Sequence, residues 1–341
     1  MLALVAHGKN IVTLEQVSKP NLIREDQALI KVKGTGICGS DDIFFSDKTT
    51  EECVNYPVII GHEFTGIIEQ IKDDRYYLKP GDHVVVDNYL RCGKCEYCKS
   101  GKYYLCDYHA EIGLTMNGGF AEYCLVPVTN LVKIPINMDF KNAAIIENVA
   151  TALRTCRRAD IRYGYKVIIL GGGPLGLLIG LISKALGAEV TVISRGEARL
   201  KRISQMNFDK TLNSTNQDWK SMIVKDTKKC GVDVVFDTTG SNETILSATE
   251  IINKTGKLFL LGITGGKIGN IDLDKIVLNE IEIVGSVSGM GYFEETVRLI
   301  ENKVIDLNPL VTHTFSLKEV LKAFKYANER IEGAIKVVVL Q

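Results

Sequence analysis

The chain predicts an α/β protein with two textures: a β-rich, barrel-like antiparallel part and a doubly wound parallel sheet. Three observations predict it. At 341 residues the chain is too long for one hydrophobic core and suits two domains. Residues 1 to about 150 carry short β-rich runs punctuated by Gly, Pro, Asn and Asp, which suits an antiparallel barrel. From about Tyr165 strand-like and helix-like stretches alternate, the signature of a parallel sheet with crossover helices.

In order along the chain, "MLALVAHG" reads as a first strand. It has no basic leader before its apolar residues, so it is not an export signal. "ALIKVKGTG", "FTGIIEQI", "HVVV" and "FAEYCLVPV" follow as strands, with His83 of "GDHV" placed in a turn. "KVIIL" then precedes glycines and the helix "LGLLIGLISKAL", with Gly187 at its C-terminal cap. "EVTVIS", "KTL", "VDVVFD", "KLFLLG" and "IEIVGS" supply further strands, and "NETILSATEIINK" a helix between two of them. After roughly Gly289 the alternation loosens into the helix "FEETVRLIENK", the segment "LVTHTFS", the helix "LKEVLKAFKYANE" and a last strand "AIKVVVL".

Composition excludes some partners. Lysine plus arginine (41) balance aspartate plus glutamate (41), so no global field draws the chain to nucleic acid or a membrane surface. The longest apolar run, "LGLLIGLISKALG", is broken by Lys184 and too short to span a bilayer. A cytoplasmic location and reduced cysteines are therefore expected.

Cys92, Cys95, Cys98 and Cys106 have C-x2-C-x2-C-x7-C spacing. Two-residue gaps turn successive thiolates onto one tetrahedral ion at about 2.3 Å, and four protein ligands leave no open position. The expectation is a structural zinc that does no chemistry. Of the other cysteines, Cys53, Cys124, Cys156 and Cys230 read as packing thiols.

"KVIILGGGPLG" places a G-x-G-x-x-G pattern between an apolar strand and an apolar helix, the context that marks a dinucleotide site. Gly171 allows the tight turn, Gly173 the approach of a pyrophosphate, and Gly176 close packing of helix on strand; Pro174 and Leu175 open the helix beside them. The next strand ends in "ISRGEAR". Ser194 stands where an NAD enzyme usually has an acid for the ribose 2′-hydroxyl, with Arg195 and Arg199 following. A hydroxyl and guanidinium groups suit a 2′-phosphate, so NADP(H) is expected over NAD(H).

Three further places offer metal ligands: Cys38 in "GICGSDD", His62-Glu63 in "IIGHEFTG", and Glu147 in "AAIIENVATAL". Singly, each has an ordinary alternative as a buried thiol, a core histidine or a helix-start acid. Together they form a mixed thiolate, imidazole and carboxylate set with room for a substrate, as catalytic zinc sites have.

The segments "GICGSD", "GHEF", the four-cysteine run, "GDHV" and "GGGPLG" occur in the order found in zinc-dependent medium-chain dehydrogenases. The chain resembles that family over essentially its whole length, most nearly the polyol (sorbitol-like) and threonine dehydrogenase branch. The resemblance implies a GroES-like catalytic domain, residues 1–150 plus 291–341, interrupted by a Rossmann domain at 151–290. It also implies two zinc ions per chain. Cys38 and His62, with Glu63 and Glu147, match the ligands of the catalytic zinc, the two acids being able to exchange roles. Ser40 matches a hydroxyl that links substrate oxygen to solvent. Ile43 stands where many relatives have a relay histidine, which leaves the rest of that route open. The implied function is interconversion of a secondary alcohol, in a polyol, sugar, cyclitol or amino alcohol, and its ketone.

An NADP-linked dehydrogenase of simple secondary alcohols and an inactive cofactor-binding relative remain alternatives, and a nucleic-acid-binding zinc protein is a distant third. Ile43, Phe44 and Phe45 suggest an apolar pocket wall, which suits a simple alcohol better than a polyol. A homodimer or homotetramer is expected, with "IEIVGSVSG" able to supply the joining edge.

Overall fold

The computed structural model describes residues 1–341 except 23, 46–53, 73–76, 217, 229, 264 and 265. Cys53 lies outside the described residues. The chain divides into two compact units, Met1–Ala150 with Gly289–Gln341, and Thr151–Ser288. The second division falls two residues earlier than the sequence pattern suggests.

In the first unit, strand Gln27–Gly36 is the organising element. It pairs antiparallel with Glu63–Ile71, Tyr123–Pro127 and Lys336–Leu340. The C-terminal strand Lys336–Leu340 is thereby built into the sheet made by the N-terminal half, and Val311–Ser316 runs parallel beside it. Successive residues of Gln27–Gly36, Glu63–Ile71 and Lys336–Leu340 are buried, so these strands are covered on both faces over most of their length. Phe44, Phe120 and Phe324 close a core with Ile37, Val337 and Val339, each buried aromatic contributing about 1.5–3 kcal/mol. Phe44 is fully buried and Phe45 packs on Phe324, ring centroids 4.7 Å apart. Phe44 therefore fills the core and does not form the apolar pocket wall expected of it, whereas Phe45 is only partly buried. His83 opens the strand His83–Val86, where the sequence suggested a turn, and its ring lies 4.7 Å from that of Phe140.

The second unit is a six-stranded parallel sheet. In sequence order its strands are Lys166–Leu170, Glu189–Ser194, Lys210–Asn213, Val232–Asp237, Ile252–Leu260 and Glu282–Gly285. Their spatial order is 3-2-1-4-5-6, the doubly wound arrangement that binds ligands outside the carboxyl ends of its strands. Helix Asn242–Ile251 stops three residues short of the helical stretch read from sequence. The next strand starts at Ile252, and Thr255 takes a left-handed φ of 61° before the flexible Gly256. Glu282–Gly285 is one edge of the sheet and Lys210–Asn213 the other. Among the described residues no helix is long and apolar enough to cross a membrane.

Candidate metal centres and dinucleotide site

The four-cysteine loop hangs from a two-stranded ribbon, Tyr89–Leu90 with Ala110–Glu111. The thiol sulfurs of Cys92, Cys95, Cys98 and Cys106 all lie within 4.8 Å of one another. Two pairs, Cys92 with Cys98 and Cys95 with Cys106, are 3.9 Å apart. A disulfide needs about 2.05 Å. Four thiolates at about 2.3 Å from a tetrahedral ion stand about 3.8 Å apart, so the observed spacing fits the ion. Backbone N–H groups of Lys94 and Cys95 donate to Cys92 Sγ at 3.4 and 3.3 Å, and that of Cys98 to Cys95 Sγ at 3.4 Å. The Lys94 donor above all, aided by that of Cys95, draws the Cys92 thiol down to about 6, which favours the thiolate a metal takes.

Cys38, His62 and Glu63 form the second group, their ligand atoms again within 4.8 Å of one another. Local structure explains each position. Cys38 ends the extended backbone before the 3-10 helix Gly39–Phe44, and its backbone N–H donates to Asp41 Oδ2 at 2.9 Å. The other oxygen of buried Asp41 lies 3.2 Å from His62 Nδ1, off the line of an ideal hydrogen bond. A carboxylate behind a histidine fixes the ring that ligates. Burial opposes protonation of His62, but Asp41 and Cys38 overcome it and hold its pKa well above the ordinary value. The Ser40 hydroxyl donates to Cys38 Sγ at 3.2 Å and remains exposed.

Glu63 opens its strand, fully buried, and both its oxygens are engaged. Oε2 accepts from the Lys336 ammonium, whose other bond goes to the Ile37 carbonyl at 2.8 Å; Oε1 accepts from Asn148 Nδ2 at 2.8 Å. Burial disfavours the Glu63 carboxylate, yet Lys336 and His62 outweigh it and its pKa falls below the usual value. The lysine reaches the acid because Gly36, paired with Glu63 across the sheet, has no side chain. A Cβ there would lie 2.4 Å from Glu63 Oε2 and 3.0 Å from Lys336 Cε.

Glu147 sits in the first turn of helix Ile146–Ala159 and is not in the three-residue group; Asn148 Nδ2 donates to its Oε2 at 2.9 Å. A thiol, an imidazole and a carboxylate, buried or half-buried, are a donor set suited to zinc. Asp41, Asn148, Lys336 and Gly36 were not found from sequence. A usable signal was Lys336, the lysine inside the apolar strand "AIKVVVL".

In the parallel-sheet unit, Gly171 has φ 112°, which favours glycine, and Gly173 caps helix Pro174–Ala185 with Pro174 at its first position. A Cβ on Gly176 would lie 2.3 Å from the Gly171 carbonyl oxygen, whereas one on Gly173 would meet open space. Ser194 is 6% exposed, and a Cβ on Gly172 would lie 2.4 Å from its Oγ, so the serine sits directly under the glycine turn. Arg195 is exposed, beside Gly196 at φ 86°. Arg199 is 9% exposed, on the buried face of helix Glu197–Ile203 with Ile203. Asp237 ends the fourth strand and binds Thr239 and Thr244 hydroxyls at 2.8 Å and the Gly240 N–H at 2.8 Å, which fixes the following turn.

Residues 24–136 match the alcohol dehydrogenase GroES-like domain, and residues 174–302 the zinc-binding dehydrogenase domain. Sorbitol dehydrogenase of Bacillus subtilis is 30% identical over 342 residues, covering 99% of this chain and 97% of that enzyme. The crystal structure of galactitol-1-phosphate dehydrogenase from Escherichia coli superposes with a TM-score of 0.90 at 28% identity, covering 100% of both chains. A putative zinc-binding dehydrogenase from Sinorhizobium meliloti, bound to NADP, gives 0.90 at 27% identity over 100% of this chain and 99% of that one.

Proposed function

This chain belongs to the zinc-binding dehydrogenase family, an alcohol or polyol dehydrogenase with a GroES-like domain, and from that premise we propose that it oxidises a secondary alcohol of a polyol, sugar, cyclitol or amino alcohol to its ketone, and reverses that reaction, with NADP(H) as hydride carrier. The observation that carries the reading is the convergence of Cys38, His62 and Glu63, backed by Asp41. The first unit is assigned the catalytic role and Thr151–Ser288 the dinucleotide.

Cys38, His62 and Glu63 would hold the catalytic zinc, with Glu147 close by, and the four cysteines would hold the structural one. When bound, the catalytic zinc supplies a Lewis acid for the substrate oxygen. Asp41 keeps the His62 ring oriented, and Lys336 neutralises Glu63. Ser40 is exposed next to Cys38, which suits a hydroxyl that passes the alcohol proton to solvent. Thr151–Ser288 would hold the nicotinamide, which would supply the hydride acceptor for oxidation of the carbinol to the ketone.

Polar surroundings support a polyhydroxylated substrate. Tyr89 and Glu111, facing each other across the ribbon, both have pKa values raised by burial. The His62 charge opposes the rise at Glu111, while the Glu111 and Glu147 charges add to that at Tyr89. Ser194, with no acid at the end of its strand and exposed Arg195 beside it, supports NADP(H); Arg199, largely buried, supports it less. The same serine and arginine also favour a second reading, a simple secondary-alcohol dehydrogenase. A panel of sorbitol, myo-inositol, threonine and 2-butanol, each with both nicotinamide cofactors, decides. Activity on 2-butanol alone defeats the polyol reading, and equal or better kcat/KM with NAD defeats the NADP assignment. A homodimer or homotetramer is proposed through the edge strand Glu282–Gly285. Leu273, Val277 and Leu278 of the preceding helix are 71%, 72% and 79% exposed, an apolar face suited to a second copy. Light scattering that gives a monomer would remove it.

A further inference from the structure

The two carboxylates of the proposed catalytic zinc site share one small donor. Asn148 Nδ2 lies 2.8 Å from Glu63 Oε1 and 2.9 Å from Glu147 Oε2. An amide NH2 has two hydrogens, so a single neutral nitrogen gives one to each acid. All three side chains are buried. Lys336 is the cation bonded to Glu63, and it is already shared with the Ile37 carbonyl. Two buried acids that meet at one neutral amide repel each other, and loss of that shared donor gives their side chains reason to separate. Glu63 belongs to the group with Cys38 and His62, while Glu147, tied to the same amide, stands outside it.

We infer that Asn148 is a positioning residue that sets how the two carboxylates are divided: it anchors Glu63 in the metal group and holds Glu147 back from it. Neutrality matters to this role. A cation at 148 would compete with the metal for both acids, and an acid there would offer a third carboxylate. An apolar residue would remove the Asn148 donor from both glutamates, and with it one bond that keeps Glu147 away from Cys38 and His62. Asn148 thereby keeps a coordination position available to substrate without touching substrate itself.

The inference rests on the metal reading given above, and cobalt(II) separates the two. Full-length protein is loaded with cobalt, and the visible spectrum of Cys38→Ser is subtracted from that of the parent to isolate the catalytic site from the four-cysteine site. Asn148→Ala is then compared with Asn148→Ser, which retains a hydroxyl donor, alongside thermal midpoints and the rate of zinc release to a chelator. The expected result is a displaced ligand-field band in Asn148→Ala and zinc release changed by about 10-fold, the scale found for residues that hold metal ligands. Asn148→Ser should fall between it and the parent. An unchanged band and release rate in either folded variant overturn the role of Asn148. A parent with no Cys38-dependent band overturns the metal reading itself, a different result from a band that Asn148 does not move.

Discussion

The two metal groups of the first unit are built by opposite means. In the four-cysteine loop every candidate ligand comes from Cys92 to Cys106, and backbone N–H groups of the same loop point at the sulfurs. In the other group the candidate ligands come from residues 38, 62 and 63, and their supports from 41, 148 and 336. The first is a local device on a ribbon and needs little from the rest of the fold. The second exists only where a 3-10 turn, the start of one strand, a helix N-terminus and the C-terminal strand meet. A closed local set suits a staple, whereas ligands on separate, packed elements leave an opening that a substrate can enter.

The sharpest way to break the comparison is to remove one sulfur from each group. Cys38→Ser should lower kcat on the order of 10³-fold while the fold survives, because a Lewis acid contributes several kcal/mol and each ~1.4 kcal/mol is tenfold. Cys95→Ser should lose one zinc equivalent and thermal stability but keep far more of its turnover at low temperature. Comparable losses of turnover in both would erase the distinction between staple and reaction site.

Next in size is the buried ion pair. Lys336→Met leaves Glu63 charged and unpaired, and should cost about 3–5 kcal/mol in denaturant unfolding. Combining it with Glu63→Gln should recover much of that stability without restoring metal. A fully additive double variant would show that the two side chains act independently.

Gly36→Ala tests the same pair through the backbone. The new methyl would press on Glu63 Oε2 and Lys336 Cε, costing about 1–3 kcal/mol and weakening zinc retention measured by chelator competition. Unaltered retention would mean that Glu63 does not hold the ion.

The last effect, one that depends on pH, concerns Asp87, near the ribbon root. Burial, with the Glu147 and Glu294 charges adding to it, raises its carboxyl from 3.8 to about 7, against an opposing N–H from Tyr89. The folded state therefore resists ionisation. The penalty is absent below 3.8, grows as pH rises toward about 7, and is constant above it. Asp87→Asn should accordingly gain on the parent as pH rises from about 4 to about 7 in unfolding midpoints, and hold that gain above it. A gap that does not change with pH would show an ordinary carboxyl.

Legibility in the sequence follows the same division. The cysteine spacing and the glycine turn are local, so their residues could be read from pattern alone. Cys38, His62 and Glu63 carried weak individual signals and gained weight from their co-occurrence and then from resemblance. Asp41, Asn148, Lys336 and Gly36 matter through contacts across as many as 299 positions, as between Lys336 and Ile37. No window of sequence holds both partners. Misreadings had local causes as well: Phe44 looked like a pocket residue because its place in the core depends on Phe120 and Phe324, far along the chain. The helical reading of Asn253 and Lys254 yielded to the parallel sheet, which takes up the chain from Ile252.

The Glu63–Lys336 pairing also bears on how the molecule comes into being. A chain made from its N-terminus produces the acid 273 positions before its countercharge. At about 5–20 residues per second that is an interval of roughly 14–55 s. Throughout it the nascent half carries a carboxylate that cannot be buried cheaply, so its final closure awaits the returning strand. The intervening parallel sheet, complete in itself, is free to fold during the wait.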